Sequence, residues 1–314
     1  MKKLILILTV IIFLPFGEGW GGASFAQQDP QYSQYMFNQM AINPAYAGSK
    51  ESVTAAAFLR TQWSGIEGAP RTQSVTIHGP FAKKKVGLGA AIITDIVGPT
   101  KSIGAMGSYA YRIKIKNGKL SFGLRAGIYE YIYNWDAINY KDAADVYNTH
   151  NQTAKVVPTA DAGIYYYTRT EYLGISATHL YNGRLTSVST QSGDDARFAI
   201  HYFLTAGKAW SLGENLVFNP SICVKGSKGL PYTADVNLSF FLMKKLWVGI
   251  SGRSNKDMVA YMQVNITEKL KLGYAFDWGL SSLAKLGYGT HEIMLSYDFN
   301  IFKSKMLSPR HLYF

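Results

Sequence analysis

The side chains in this sequence that could do chemistry are charged residues set singly into runs of alternating apolar and small residues. Arg60, Arg125, Asp161, Lys225, Asp235, Arg253, Lys271 and Glu292 each occupy the polar phase of such a run. Period-two alternation sends the members of one phase to one face. Charges of both signs on a shared inner face suit either an internal salt-bridge network or a surface that grips a charged ligand or polypeptide. Catalytic signatures are absent: there is no G-x-S-x-G, no H-E-x-x-H and no phosphate loop. The single cysteine, Cys223, rules out an intrachain disulfide. The histidines at 78, 150, 179, 201, 291 and 311 lack metal-ligand spacing. A barrel phospholipase would need a lipid-facing Ser–His pair with an orienting amide. His179 lies on the apolar phase of its strand with Asn182 nearby, but no serine partner is identifiable, so His179 reads as an interfacial polar residue. Asp142, Asp145, Asp194 and Asp195 match no calcium-loop spacing and read as solvated loop carboxylates. The expectation is a non-enzyme without cofactor or metal.

The elements that must position these charges are strands. In Lys119–Asn134 (KLSFGLRAGIYEYIYN), Leu120, Phe122, Leu124, Ala126 and Ile128 form one set, and Ser121, Gly123, Arg125, Gly127 and Tyr129 the other. One face suits hydrocarbon; the other is small or polar and carries an arginine, the pattern of a transmembrane β-strand. Similar runs recur at Glu51–Arg60, Thr72–Gly79, Val86–Ile96, Ser102–Ile113, Thr159–Thr168, Glu171–Leu180, Arg197–Trp210, Leu216–Gly226, Thr233–Met243, Leu246–Arg253, Met258–Ile266, Leu270–Trp278 and His291–Phe299. Together they predict an all-β fold, a transmembrane antiparallel β-barrel of about fourteen strands. Connections read as alternately short (KNGK, RT, MKKL) and long (Trp135–Val156, Asn182–Asp195). Outer-membrane barrels place short turns in the periplasm and long loops outside, which puts both termini in the periplasm. Trp63, Trp135 and Trp278 fall at loop-side strand ends and Trp210 and Trp247 at turn-side ends, as two interfacial belts would. The loop-side trio is the expected partner-facing rim.

The chain has 314 residues, with Tyr 22, Phe 16 and Gly 30, a composition that fits a barrel with aromatic girdles better than a soluble β-sandwich. Residues 1–26 read as a signal peptide: Lys2 and Lys3, an apolar run from Leu4 to Phe16, and Ser24-Phe25-Ala26 at the cleavage position. No later apolar stretch is long enough for a membrane helix. Residues 27–49 are no strand; Tyr32, Tyr35, Met36, Phe37 and Met40 at near-helical spacing predict a short helical turn between extended pieces, able to plug the barrel or close its periplasmic mouth. The barrel then occupies 50–300 and a tail 301–314. The net charge of +12 gathers in turns such as Lys83–Lys85 and Lys244-Lys245. These are solvated turn residues or a basic face for an acidic periplasmic partner; without a basic stripe or reader motif, nucleic acid is excluded.

Three stretches carry a resemblance. Gln34-Tyr35-Met36-Phe37-Asn38 followed by Ile42-Asn43-Pro44-Ala45-Tyr46-Ala47-Gly48-Ser49 resembles the N-terminal hallmark of the PorP/SprF family, in which Phe37, Asn43, Pro44, Tyr46 and Gly48 are the motif positions. Arg60-Thr61-Gln62-Trp63, Gly68-Ala69-Pro70 and Thr72-Gln73-Ser74 resemble its first hairpin, and Ser308-Pro309-Arg310 with Tyr313-Phe314 its tail. The resemblance implies an outer-membrane barrel of the Bacteroidota type IX secretion apparatus. One branch of the family is a core component associated with periplasmic ring lipoproteins. Another serves large adhesins, some used in gliding, through their C-terminal domains. The expected partners are therefore a secreted adhesin's C-terminal domain, periplasmic ring lipoproteins and outer-membrane lipid. A passive channel is the rival from another class.

Overall fold

The computed structural model describes residues 31–50, 52–81, 85–134, 152–181, 198–227, 231–279 and 287–299. The strands are β1 (Val53–Thr61), β2 (Arg71–Phe81), β3 (Val86–Val97), β4 (Thr100–Ile115), β5 (Gly118–Asn134), β6 (Gln152–Tyr167), β7 (Glu171–Thr178), β8 (His201–Lys208), β9 (Trp210–Ser211), β10 (Leu216–Ser227), β11 (Thr233–Leu242), β12 (Leu246–Arg253), β13 (Asp257–Asn265), β14 (Leu270–Gly279) and β15 (Thr290–Phe299). β8 and β9 both pair with β10 and are one stave interrupted at Ala209, so fifteen pieces make fourteen staves. All neighbours are antiparallel. β1 pairs β15 from Val53↔Phe299 to Thr61↔His291, and the circle is complete: a closed barrel with no free sheet edge around the ring.

Alternation explains the wall. In β5, Phe122, Leu124 and Ile128 lie on the exposed outer face, while Ser121, Arg125 and Tyr129 are buried inside. In β15, Ile293, Leu295, Tyr297 and Phe299 are exposed, while Glu292, Met294, Ser296 and Asp298 are buried. An apolar surface that faces outward all round is stable only in hydrocarbon, and no described helix is long and apolar enough to cross a membrane.

Three expectations change. First, β6 starts at Gln152, inside the expected loop Trp135–Val156. β5 runs to Asn134, and its backbone groups there need a ladder, which residues 152–158 supply. Pro158 is tolerated because its nitrogen faces the β7 side. The Ala160 carbonyl points that way, to the Leu180 N–H, and the β6–β7 ladder starts only at Ala162↔Ala177. Second, the loop side is not uniformly long: residues 98–99 join β3 to β4 and 254–256 join β12 to β13. Gly98 and Lys256 make these turns tight by adopting positive φ (54° and 69°). Third, in the Lys116-Asn117-Gly118 turn Gly118 already belongs to β5, opposite Ile115, and Lys116 takes the left-handed conformation (φ 48°).

Candidate functional site

Residues 31–50 cross the barrel lumen from one end to the other and touch the inner wall on all sides. In place of one helical turn there are three 3-10 turns, Tyr35–Phe37, Gln39–Ala41 and Pro44–Tyr46. The last is preorganised by sequence: Pro44 sets φ at its first position, and the Asn43 side chain accepts from Ala45 N–H at 2.9 Å. Three zones hold this plug.

At the long-loop end a charged latch grips Ser33 and Gln34. The Glu292 carboxylate accepts both backbone N–H groups, Ser33 at 2.7 Å and Gln34 at 2.8 Å. Ser33 Oγ donates to the Asp277 carboxylate at 2.7 Å and accepts from Arg60 (2.7 Å) and Arg253 (2.8 Å). Arg60 bridges Asp277 (2.8 Å) and Glu292 (3.1 Å), and Arg253 reaches Asp277 at 3.0 Å. Asp235 lies 3.6 Å from Arg253 and 2.9 Å from Lys225. Two guanidinium groups face two carboxylates in a nearly buried cluster, so that charge balance and charge-assisted hydrogen bonds offset much of the cost of burial.

In the middle, aromatic and amide contacts take over. Tyr35 Oη accepts from Asn237 at 2.5 Å, and Asn38 donates to Thr76 at 2.8 Å. Phe37 meets Trp247 and Tyr261 edge-on at 6.1 and 6.0 Å. Arg125 pairs with Asp161 and also donates to the carbonyls of Met40 (3.0 Å) and Ala41 (3.2 Å). Its charge thereby closes the C-terminal side of the second 3-10 turn.

Toward the short-turn end the wall makes room by losing side chains. A Cβ on Gly123 would stand 2.2 Å from Ala45 N, one on Gly163 2.2 Å from Asn43 Oδ1, and one on Gly87 1.9 Å from Ala47 O. Asn43 Nδ2 donates to the carbonyls of Ile164 (3.1 Å) and Ile175 (3.3 Å), and Ser176 donates to Ile42 O at 2.7 Å. Tyr46 packs edge-on against His78 and Tyr165, and Gly48 (φ 66°) donates to His78 Nδ1 at 3.1 Å. Below them Lys271 pairs with Asp298 at 2.8 Å, and Asp298 also accepts from Thr54 at 2.6 Å.

The structure thus places all eight sequence-selected charges inside. Arg60, Arg253, Asp235, Lys225 and Glu292 fall in or beside the latch; Arg125 and Asp161 form the middle pair; Lys271 sits apart near the short-turn end. The motif positions Phe37, Asn43, Pro44, Tyr46 and Gly48 all contact or shape the lumen seat. Of the tryptophans, Trp63 caps β1 in the left-handed region (φ 44°) with its N–H on Thr290 Oγ1 at 3.2 Å, and Trp278 stands exposed on the outer wall. Trp135, Asn182, Asp142, Asp145, Asp194 and Asp195 lie outside the described residues. His179 differs from its reading as an interfacial residue. β7 ends at Thr178, and a left-handed step (φ 56°) swings His179 off the lipid phase. It is buried, with its N–H on Asp161 (2.8 Å) and its ring stacked on Phe198 at 4.3 Å. Ser33, central to the latch, has no flag in the sequence beyond a lone hydroxyl; Asp277 and Asp298 lie inside, as the alternation of their strands places them.

A closed antiparallel barrel with an apolar exterior and a lumen filled by its own N-terminal segment is an outer-membrane protein. Among solved structures the fold is similar to the CymD monoaromatic hydrocarbon channel (TM-score 0.50, 10% identity, 83% of this chain and 92% of that one). It is also similar to a Pseudomonas aeruginosa FadL homologue (0.45, 10%, 82% and 93%) and to Acinetobacter baumannii Omp33 (0.45, 9%, 79% and 98%). No curated protein sequence matches the chain. The family model for the type IX secretion system membrane protein PorP/SprF matches residues 24–297, and the chain belongs to that family.

Proposed function

We propose that this barrel binds a large secreted adhesin through the adhesin's C-terminal domain, for export and anchoring at the cell surface. The observation that carries the reading is the packed lumen: Arg60, Arg125, Asp161, Asp235, Arg253 and Glu292 are engaged with the plug or with one another. A wall whose charges are spent this way is poorly suited to pass solutes, which weighs against the channel reading and moves partner contact to the mouth. In the proposed orientation, with short turns in the periplasm, the rim beside Trp63 faces the cell exterior. The test is mild-detergent purification of the tagged protein from its own outer membrane, with mass spectrometry of what accompanies it. A large secreted protein whose C-terminal domain is necessary for capture supports the reading; a barrel that comes away alone contradicts it.

A specific observation favours a second reading, a core component that tethers the periplasmic ring. The short-turn end is basic: Lys85, Lys116, Arg169, Lys244, Lys245 and Lys269 are exposed there against Glu214 and Glu268. Such a ring of cations would attract an acidic periplasmic surface. Neutralising Lys244 and Lys245 would then release ring lipoproteins while leaving adhesin capture intact.

A further inference from the structure

The plug's seat has a counterpart on the outside of the wall. A groove of about 560 Å³ opens there across β4 to β8, on the face that stands in hydrocarbon. The register sets its shape. One row of outward side chains crosses the five staves as Tyr109, Leu124, Ala162, Ala177 and Tyr202. Leu124 and Tyr202 are three strand spacings apart, about 14 Å, and only the methyl groups of the two alanines stand between them. Phe122, Ile164 and Ile175 line the groove on its short-turn side. Its floor is largely main chain, at Gly123, Gly163 and Ser176. The inner side of that floor is the seat. A Cβ on Gly123 or Gly163 would collide with Ala45 or Asn43, and Ser176 donates to Ile42 O. Asn43 Nδ2 donates to the carbonyls of Ile164 and Ile175, whose side chains wall the groove. One thickness of backbone separates the plug from the hydrocarbon here.

Between the groove and the short-turn end the wall becomes basic. Lys114 and Lys119 stand opposite each other across β4 and β5, with Lys116 exposed in the turn between them. Arg169 is exposed two residues beyond Tyr167, the register partner of Lys119. Among the described residues 112–121 and 165–172 the one carboxylate is Glu171, and Lys208 pairs with it at 3.0 Å. Positive potential therefore gathers at these two adjoining turns. Along β4 from Tyr111 to Lys116, and along β6 from Ile164 to Arg169, the strand covers about 16 Å. One leaflet of hydrocarbon is about 15 Å deep. A phosphate held at the turns thus puts the end of its acyl chain in the groove.

We propose that this groove and the two turns form a binding site for an anionic glycerophospholipid, its phosphate on Lys116 and Arg169 and one acyl chain in the groove, and that lipid binding and plug seating reinforce each other. Shape selects the chain: a second barrel presents a convex wall that cannot reach a floor set between ridges about 14 Å apart, whereas an acyl chain bends into it. Filling the groove gives Ile164 and Ile175 packing partners on their outer side and fixes the carbonyls that Asn43 needs. A lipid that binds better with the plug seated must in turn stabilise the seat. The orientation of the barrel decides which leaflet supplies the lipid and leaves the chemistry of the site unchanged.

Native mass spectrometry of the full chain, delipidated in mild detergent and titrated with dioleoylphosphatidylglycerol, counts the lipids bound. One retained lipid is expected, held about tenfold more tightly than dioleoylphosphatidylcholine. Equal retention of the two lipids overturns the anionic assignment. Ala162→Leu with Ala177→Leu fills the groove from outside, and Lys116→Gln with Arg169→Gln removes the cations. Each pair is expected to weaken retention about tenfold while the barrel stays heat-modifiable on gels. Lys101→Gln, at the far end of β4, should leave retention unchanged. Retention that survives both pairs overturns the site, as does a dimer of the parent that the groove-filling pair abolishes. The coupling is read separately, as protease cleavage within residues 38–49. Phosphatidylglycerol is expected to slow cleavage of the parent about fivefold and to have no effect on the groove-filled variant. Cleavage of the parent at one rate with and without lipid overturns the coupling.

Discussion

The two ends of the plug are held by unlike means. At the long-loop end four ionised side chains and one serine form the latch; at the short-turn end missing side chains and a few amide hydrogen bonds form the seat. The latch depends on charge balance, so removing one member leaves its partners buried and uncompensated. The seat depends on contact distance, so adding a methyl group is the damaging change. The difference matches the chain's path. The seat adjoins the covalent link to β1, where position is already constrained, whereas the latch fixes the end that adjoins no described strand.

Breaking the latch is expected to cost the most. Arg60→Met removes the guanidinium from Glu292 and leaves Asp277 with Arg253 alone, and should lower stability by about 3–5 kcal/mol, read as a fall in the temperature at which the folded band is lost on heated gels. Lys208, which pairs with Glu171 in the open, is the control; Lys208→Ala should change stability by less than about 1 kcal/mol. Next comes the seat: Gly123→Val drives side-chain atoms into the Ala45 backbone and should cost about 1–3 kcal/mol. Its distinguishing readout is protease cleavage within residues 38–49 while the barrel stays folded. Asn43→Ala, which removes two carbonyl contacts and the cap of the third 3-10 turn, should cost about 1–3 kcal/mol. The double variant Arg60→Met with Gly123→Val shows whether the two anchors act as one. Distant sites normally add to within about 0.5 kcal/mol. A plug that unseats as one body gives a sum well below additive, whereas two independent anchors give simple addition.

Much of the wall was legible in the sequence because a membrane barrel writes its two faces in alternate residues. The phase of Arg125, Asp161, Asp235, Arg253 and Glu292 fixed their inward direction without knowledge of any contact. What those charges hold was not legible. The residues that complete the latch are separated from Ser33 by 244 and 259 positions, and no local pattern links a serine to carboxylates that far away. The start of β6 was hidden by Pro158 and by the charge of Lys155, because the need for a ladder comes from β5 and not from residues 152–158 themselves. His179 was misplaced for a related reason: parity arguments fail where one residue leaves the strand region, and its positive φ has no signature in the sequence around it. The motif Asn43-Pro44-Ala45-Tyr46 announced a turn, but only the glycines of β3, β5 and β6 show why it must be that turn.

The lumen is filled by the chain's own residues 31–50, held at both ends. Conductance of the purified barrel in planar bilayers tests it most directly. The native protein is predicted to be electrically silent, and the Arg60→Met, Gly123→Val double variant to show openings as the plug leaves its seat. A steady, large conductance from the native protein, unchanged in the variant, would contradict the claim.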